Sequence, residues 1–318
     1  LLKGLVPKSR EVGVAEELRG WNWHLPPLEP AYDVRLALYE VAGRYCESGR
    51  DLFLKRVEGV KVRPNREMIE GAVLHETLAR LLLRAKRLIY EKGIGAYEEI
   101  FTLLRQGASE EVNWPEAGEA KGNTKRGQAH KTESDDTIDI ADLSDEEKAE
   151  LRRKIRLVNA FEIDRIVARL QEFLVKQPYI GEDSLVAQAL PVVVEQKLDG
   201  SFLGMSPYLS ADAFVFSEPM ILDLKFGEPR PFHRLATTGY ALVMEAMHEF
   251  PINLGCIIYA KFHGNRLQVT KDFHMISDEL RQWFIEQRDE LMRMVYEEAD
   301  PGKAGDCYDT CPYLEVCH

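Results

Sequence analysis

The sequence predicts an α/β fold, a central sheet with helices packed around it, and three observations predict it. Runs at 190–198 and 252–260 and a pair of runs within 209–227 carry the alternating or fully apolar patterns of β-strands. Stretches at 68–89, 144–173 and 232–250 repeat apolar residues at intervals near 3.6, as helices do. The two strands of LSADAFVFSEPMILDLKFG (209–227) hold Asp212, Asp223 and Lys225 among apolar neighbours. A charge in that setting is costly unless it is paired or bound to a metal.

Composition sets the frame. With 318 residues, 45% hydrophobic and 30% charged, the chain can hold one large core or two smaller ones. The charge fraction fits a protein from a hot environment. A net charge of −12 argues against a protein that coats nucleic acid nonspecifically. It leaves room for a nuclease, whose acidic ligands are neutralised by the cation. No apolar run reaches the roughly 18 residues that a membrane span needs, so no membrane association is expected. The stretch LLKGLVPKSREVG has no long apolar core, and five cysteines, an odd number, point to a reducing compartment. A cytoplasmic setting is the expectation.

Taken in order, residues 1–31 read as an irregular arm in which LRGWNWHLPPLEP joins Trp21 and Trp23 to a Pro-Pro pair. The tryptophans are either core anchors or stacking surfaces for a base. Residues 33–56 read as helical around Gly43 and Gly49, with Cys46 inside the run. A basic turn, KVRPNREM, leads into a helix from Met68 to about Ile89 whose apolar face includes Ile69, Leu74, Leu78 and Leu81. His75 lies beside that face, with Gly71, Ala72 and Ala79 leaving space for a ligand or a second backbone. Arg80, Arg84, Lys86 and Arg87 form either a solvated face or a phosphate track.

From about Gln106 to Glu147 periodicity disappears, and the stretch reads as a mobile insertion. Ser144 followed by Glu147 signals a capping box and a helix carrying the basic run RRKIR (152–156), a candidate DNA-tracking face. LPVVVEQKL (190–198) is a strand on which Val193, Glu195 and Lys197 share a face. In the strand pair that follows, an even turn at 217–220 sets Phe216 beside Ile221, Phe214 beside Asp223 and Asp212 beside Lys225. Both aspartates then share one face and can converge on one cation; an odd turn separates them. The competing reading is a plain Asp212–Lys225 ion pair. A helix at 232–250, strands at 252–260 and 266–273 (with Cys256 as core) and a helix capped by Ser277 complete the core. Four segments are expected: 1–67, an arm and helix; 68–184, a helical region with the insertion; 185–276, the sheet; and 277–318, a helix and tail.

That tail, DCYDTCPYLEVCH, holds Cys307, Cys311 and Cys317 within eleven residues. In a reducing compartment this spacing points to metal or iron–sulfur ligation. Zinc competes, with His318 or Cys46 as fourth ligand, and Cys46 is the easier geometry because adjacent residues seldom both reach one tetrahedral ion.

The order helix with His, strand, strand with Asp, strand with Asp-x-Lys, helix resembles the PD-(D/E)xK nucleases of the RecB type. YCESGRDLFLK resembles a first-cysteine motif, and GAVLHE, LSADAFVF and ILDLKFG resemble three catalytic motifs. With the C-terminal cysteines these resemble the CRISPR-associated RecB-like iron–sulfur exonucleases, and LRGW and TTGYALVMEA resemble their archaeal variant. The likeness covers roughly 40–90 and 185–318.

The resemblance implies a restriction-endonuclease-like core with a mixed central sheet flanked by helices, and a C-terminal cluster region. It implies that His75, Asp212, Asp223 and the Leu224 carbonyl bind Mn2+ or Mg2+, hard ions suited to these donors. Lys225 is implied as the group that orients water or neutralises phosphoryl charge, Glu195 as an aid to the water or a second ion, and Tyr240 as a contact to the substrate strand. Cys46, Cys307, Cys311 and Cys317 are implied to hold an iron–sulfur cluster of the four-iron (4Fe-4S) type, stapling the tail to the first helix. One position departs: Ala236 stands where the family usually has glutamine. Two functions follow as expectations. One is a metal-dependent DNA exonuclease that processes single-stranded ends for spacer acquisition in antiviral defence. The other is a weakly active or inactive nuclease-fold subunit that serves the CRISPR spacer integrase.

Overall fold

The computed structural model describes residues 2–11, 13–109, 140, 143–215 and 217–317. They fall into two units. One comprises Leu1–Asn65, Glu195–Ala260 and Val269–His318, and the other Arg66–Val194 with Lys261–Gln268.

The N-terminal arm is less irregular than its sequence predicts. Residues Leu2–Glu11 form helix α1 despite Pro7, with Lys8 and Arg10 in the last turn, where cations favour a helix end. The helix expected over 33–56 is two: α2 (Leu38–Ala42) and α3 (Arg50–Arg56). The break lies between the glycines already singled out. Gly49 adopts φ 74°, a left-handed conformation cheap only for glycine, and caps α3. Trp21 donates to Glu16 at 2.6 Å and Trp23 packs against Phe202 with ring centroids 5.0 Å apart, so both act as anchors of the arm.

The second unit is helical. Helix α4 (Arg66–Lys92) extends the expected helix at both ends, and α5 (Tyr97–Ser109), α6 (Asp145–Lys176) and α7 (Glu182–Ala189) pack with it. Leu82 and Ile89 of α4, Phe101 of α5, Ile166 and Leu170 of α6 and Leu185 of α7 share one core. The capping box predicted for α6 is formed: Ser144 Oγ accepts from the Glu147 N–H at 3.2 Å, and Glu147 accepts from the Ser144 N–H at 2.8 Å. The expected insertion at 106–147 begins with the last turn of α5; its residues 110–139 and 141–142 lie outside the described residues.

The sheet holds five strands in the order β1-β2-β3-β4-β5: β1 (Val192–Leu198), β2 (Leu209–Val215), β3 (Met220–Lys225), β4 (Leu254–His263) and β5 (Arg266–Met275). It is mixed. Strands β2 and β3 are antiparallel, whereas β3 and β4 run parallel and are joined through helix α8 (His233–His248). Helix α9 (Asp278–Tyr296) follows β5. The core of this unit joins Val41, Phe53, Phe214, Ile221, Leu242 and Phe284. At Gly239 of α8 a Cβ would meet the Phe284 ring at 2.4 Å, so only glycine lets α9 approach this closely.

Below that core lies a charge cluster the sequence did not announce. Glu245, with no exposed surface, accepts from Arg281 at 2.7 and 2.9 Å, from Arg19 at 2.9 Å and from the backbone N–H groups of Gly20 and Ile252 at 2.9 Å each. Every oxygen lone pair on this carboxylate that faces protein has a donor, which is what makes a buried charge tolerable. It fixes the arm to α8 and α9.

Candidate active site

The β2–β3 pair brings the two aspartates together more closely than expected. The observed register pairs Val215 with Met220, Phe214 with Ile221 and Ala213 with Leu222, so Asp212 falls directly opposite Asp223. The sequence pattern predicts Lys225 opposite Asp212, and the structure places Asp223 there instead. The turn is even, as expected, but occupies 216–219 rather than 217–220, which slides the partner strand by two residues and leaves both acids on one face. Phe216 itself lies outside the described residues.

Asp223 is 4% exposed, and the Lys225 ammonium lies 3.2 Å from its Oδ1 and 3.0 Å from its Oδ2. Asp212 Oδ2 accepts from the Leu224 N–H at 3.1 Å. Burial alone would lower the lysine's pKa; the fields of Asp223 and Asp212 outweigh it and hold Lys225 above its ordinary value, firmly protonated.

Glu195 joins this face from β1. Its Oε2 accepts from Ser210 Oγ at 2.8 Å, and Ser210 is two residues before Asp212 on the same side of β2. Its φ of 53° is left-handed, a conformation that costs a side-chain-bearing residue energy inside a strand and re-aims the side chain. Tyr240, reaching from α8, donates to the Ser210 carbonyl at 2.7 Å. Its phenol is pushed well above the ordinary range by burial first, then by Asp212, Asp223 and Glu195, which places all three carboxylates in its surroundings. Asp212, Asp223, Lys225, Glu195 and Tyr240 thus meet in one unit; His75 sits half-buried on α4, in the other. Ala236, one turn before Tyr240, is 7% exposed and packs in the core.

His233 went unnoticed in the sequence. At 4% exposure, its Nε2 is 3.2 Å from Tyr45 Oη and its Nδ1 3.1 Å from Tyr259 Oη. Burial, then Lys225 and Arg230, push its pKa down to about 4, so the ring is neutral at physiological pH. The signal available was the placement of a histidine at the first position of the helix after Pro-Arg-Pro-Phe.

The cysteines lie around α3. Cys46 precedes it, and Arg50 at its start donates to Cys317 Sγ at 3.7 Å and to Asp300 at 2.8 Å. The Cys311 thiol is raised by burial first, with Cys46, Asp51 and Cys307 adding to it. Ser48 donates to the Gly302 carbonyl at 2.8 Å and Asn65 to that of Thr310 at 2.7 Å, so polar contacts tie the tail to the α3 region. His318 lies outside the described residues. Cys256, on β4, is core as expected, its thiol pushed up to about 12 by burial.

Among the described residues, no three His, Cys, Asp or Glu side chains stand close enough together to hold one ion. By donor type, the two facing carboxylates are oxygen ligands of the kind a hard divalent cation takes, and the thiols are ligands of the kind a soft centre takes. The basic runs are largely committed elsewhere. Arg80 pairs with Glu76, Arg87 with Glu91, Lys154 with Glu70 and Arg153 with Glu150, while Lys86 donates to the Val192 carbonyl. No helix among the described residues is long and apolar enough to cross a membrane.

Comparison with known proteins identifies the family. The family described as CRISPR-associated exonuclease Csa1 matches residues 1–121 and 116–318. A relative from Saccharolobus solfataricus, named CRISPR-associated exonuclease Csa1, is 30% identical over 98% of this chain and 94% of its own length. One from Thermoproteus tenax with the same name is 28% identical over 96% and 91%. The chain belongs to the Csa1 family.

Proposed function

We propose that the chain is a metal-dependent DNA exonuclease with a PD-(D/E)xK core, processing single-stranded DNA ends for CRISPR spacer acquisition beside the spacer integrase. One observation carries the reading: Asp212 faces Asp223 across β2 and β3, with Lys225 bonded to Asp223. The family and the names of both relatives support it.

Asp212 and Asp223 would hold Mn2+ or Mg2+, and the resemblance adds His75 and the Leu224 carbonyl to the ligands. When bound, such an ion supplies a Lewis acid for the phosphate and lowers the pKa of a coordinated water. The chain's own groups do the rest. Lys225, held protonated, neutralises charge that builds on the phosphoryl oxygens. Tyr240, held protonated and donating to the Ser210 carbonyl, contacts the substrate strand beside the carboxylates. Glu195, held out by its left-handed backbone, orients the water or a second ion. Cys46, Cys307, Cys311 and Cys317 would hold a four-iron cluster, adding to the polar contacts that already fasten the tail.

Ala236 favours a second reading. Its burial leaves no polar group at the position where the family's glutamine usually stands, as in a weakly active subunit that presents DNA ends to the integrase. Digestion of end-labelled single-stranded DNA with Mn2+, comparing the chain with Asp223→Ala, separates the two. Shortened products from the unaltered chain alone support the exonuclease; equal products from both proteins remove it.

A further inference from the structure

Beside Lys225, three separate segments bring together exposed aromatic and cationic groups that the proposed chemistry leaves unused. Arg230, in the turn before α8, lies over the Tyr308 ring of the C-terminal tail, its guanidinium carbon 5.2 Å from the ring centroid. Tyr45, between α2 and α3, packs edge-on against Phe232 at 5.1 Å. It is 54% exposed and Tyr308 is 40% exposed. Tyr45 is held from behind by His233, at 3.2 Å from its hydroxyl, and Lys225 and Arg230 both lie within electrostatic reach of this pair.

Arg230 is exposed and forms no ion pair among the described residues. Arg80, Arg87, Arg165 and Arg169 each spend their charge on a neighbouring glutamate, and the net charge is −12. Arg230 keeps its guanidinium exposed beside the Tyr308 ring, and such a group can stack by its plane and bind a phosphate by its N–H edge, the two contacts an arginine makes to an unpaired nucleotide. Aromatic faces alternating with positive charge are the make-up of surfaces that follow a single strand, since every base has a π-face to stack. A duplex offers no such faces, because its bases are already stacked on one another.

We propose that Arg230, Tyr308 and Tyr45 form a single-strand track leading to the Asp212–Asp223 site, with Arg230 taking a phosphate and the tyrosines stacking on bases in a sequence-tolerant way. The track rests on the reading of the chain as a nuclease of DNA ends. What it adds to that reading is the set of residues that would grip an unpaired end.

Fluorescence anisotropy tests it, with the full chain carrying Asp223→Asn so that the labelled oligothymidylate stays intact. Arg230→Gln, Tyr308→Leu and Tyr45→Leu are each expected to weaken binding about tenfold, the size of one lost stacking or phosphate contact. Arg230→Gln also lowers the salt dependence of binding by nearly one counterion. Tyr308→Trp retains affinity, and Tyr179→Leu, at a fully exposed position in the other unit, changes nothing. On an abasic strand the tyrosine variants and their parent bind equally, because only stacking has been lost.

Variants that bind like the parent, while the unaltered chain still cleaves DNA, overturn the track and leave the nuclease reading standing. Tyrosine variants that lose the abasic and ordinary strands alike also overturn it, since a clamp on the tail rather than stacking then explains the contact. An unaltered chain that neither binds nor cleaves DNA overturns both.

Discussion

Asp212 stands directly opposite Asp223 across the β2–β3 pair, with the Lys225 ammonium at hydrogen-bond distance from Asp223. Like charges facing each other across strands destabilise a sheet, by about 0.2–1 kcal/mol for an ordinary pair. Asp212→Asn keeps an oxygen for the Leu224 N–H and removes the repulsion. In chelator it is expected to melt at a slightly higher temperature than the parent while losing all Mn2+-dependent cleavage. Added Mn2+ should raise the melting temperature of the parent and leave that of the variant unmoved.

His233 gives the fold a pH dependence of defined sign. Its pKa falls from 6.5 in the unfolded chain to about 4 in the folded one. Between those values the unfolded state binds the extra proton, so this residue's share of stability is intact above about pH 6.5 and is lost as the pH falls toward 4. His233→Gln cannot take up that proton. Urea unfolding at a series of pH values is expected to show a shallower acid slope for the variant over this window; parallel curves would refute it.

Removing Glu245 leaves Arg281, itself without exposed surface, as an uncompensated buried charge. Glu245→Ala is expected to cost about 3–5 kcal/mol in chemical denaturation, in the range found when one partner of a buried ion pair is deleted. Arg19→Ala should cost less, because Glu245 keeps Arg281 and two backbone donors.

For the cysteines, the purified chain is expected to be brown and to hold about four irons, and Cys311→Ala to be colourless and free of iron. Limited proteolysis should still find the tail docked in that variant, because Ser48–Gly302, Arg50–Asp300 and Asn65–Thr310 do not involve a thiol. A colourless parent with stoichiometric zinc would defeat the iron assignment.

Patterns of local origin were legible in the sequence. The 3.6-residue repeat of α4, the Ser144 capping box and the β2–β3 turn parity all come from residues close together in the chain, where periodicity and turn chemistry decide the outcome. The register was not, because parity settles which face a side chain occupies but not which partner it meets; both even turns satisfy the same pattern. His233 and Glu245 were invisible for a different reason. Their roles depend on partners such as Tyr45, Tyr259, Arg19 and Arg281, brought in from distant segments, and a lone histidine or glutamate in a helix carries no trace of that. The short helices α5 and α7 flank stretches of mixed polarity, and packing on α4 and α6 stabilises them more than their own pattern does.

The Glu245 cluster also sets an order of events during synthesis. Arg19 precedes its carboxylate by 226 residues, and Ser48 precedes Gly302 by 254. At about 5–20 residues per second, the arm and α3 emerge tens of seconds before their partners exist. Nearly all of the helical unit, Arg66–Val194, is one contiguous stretch and can close its own core while the first segment waits. A nascent chain stalled before Arg281 therefore displays a helical unit with its core formed and a sheet not yet covered by α9, a state that chaperones and proteases would meet before the Glu245 cluster exists.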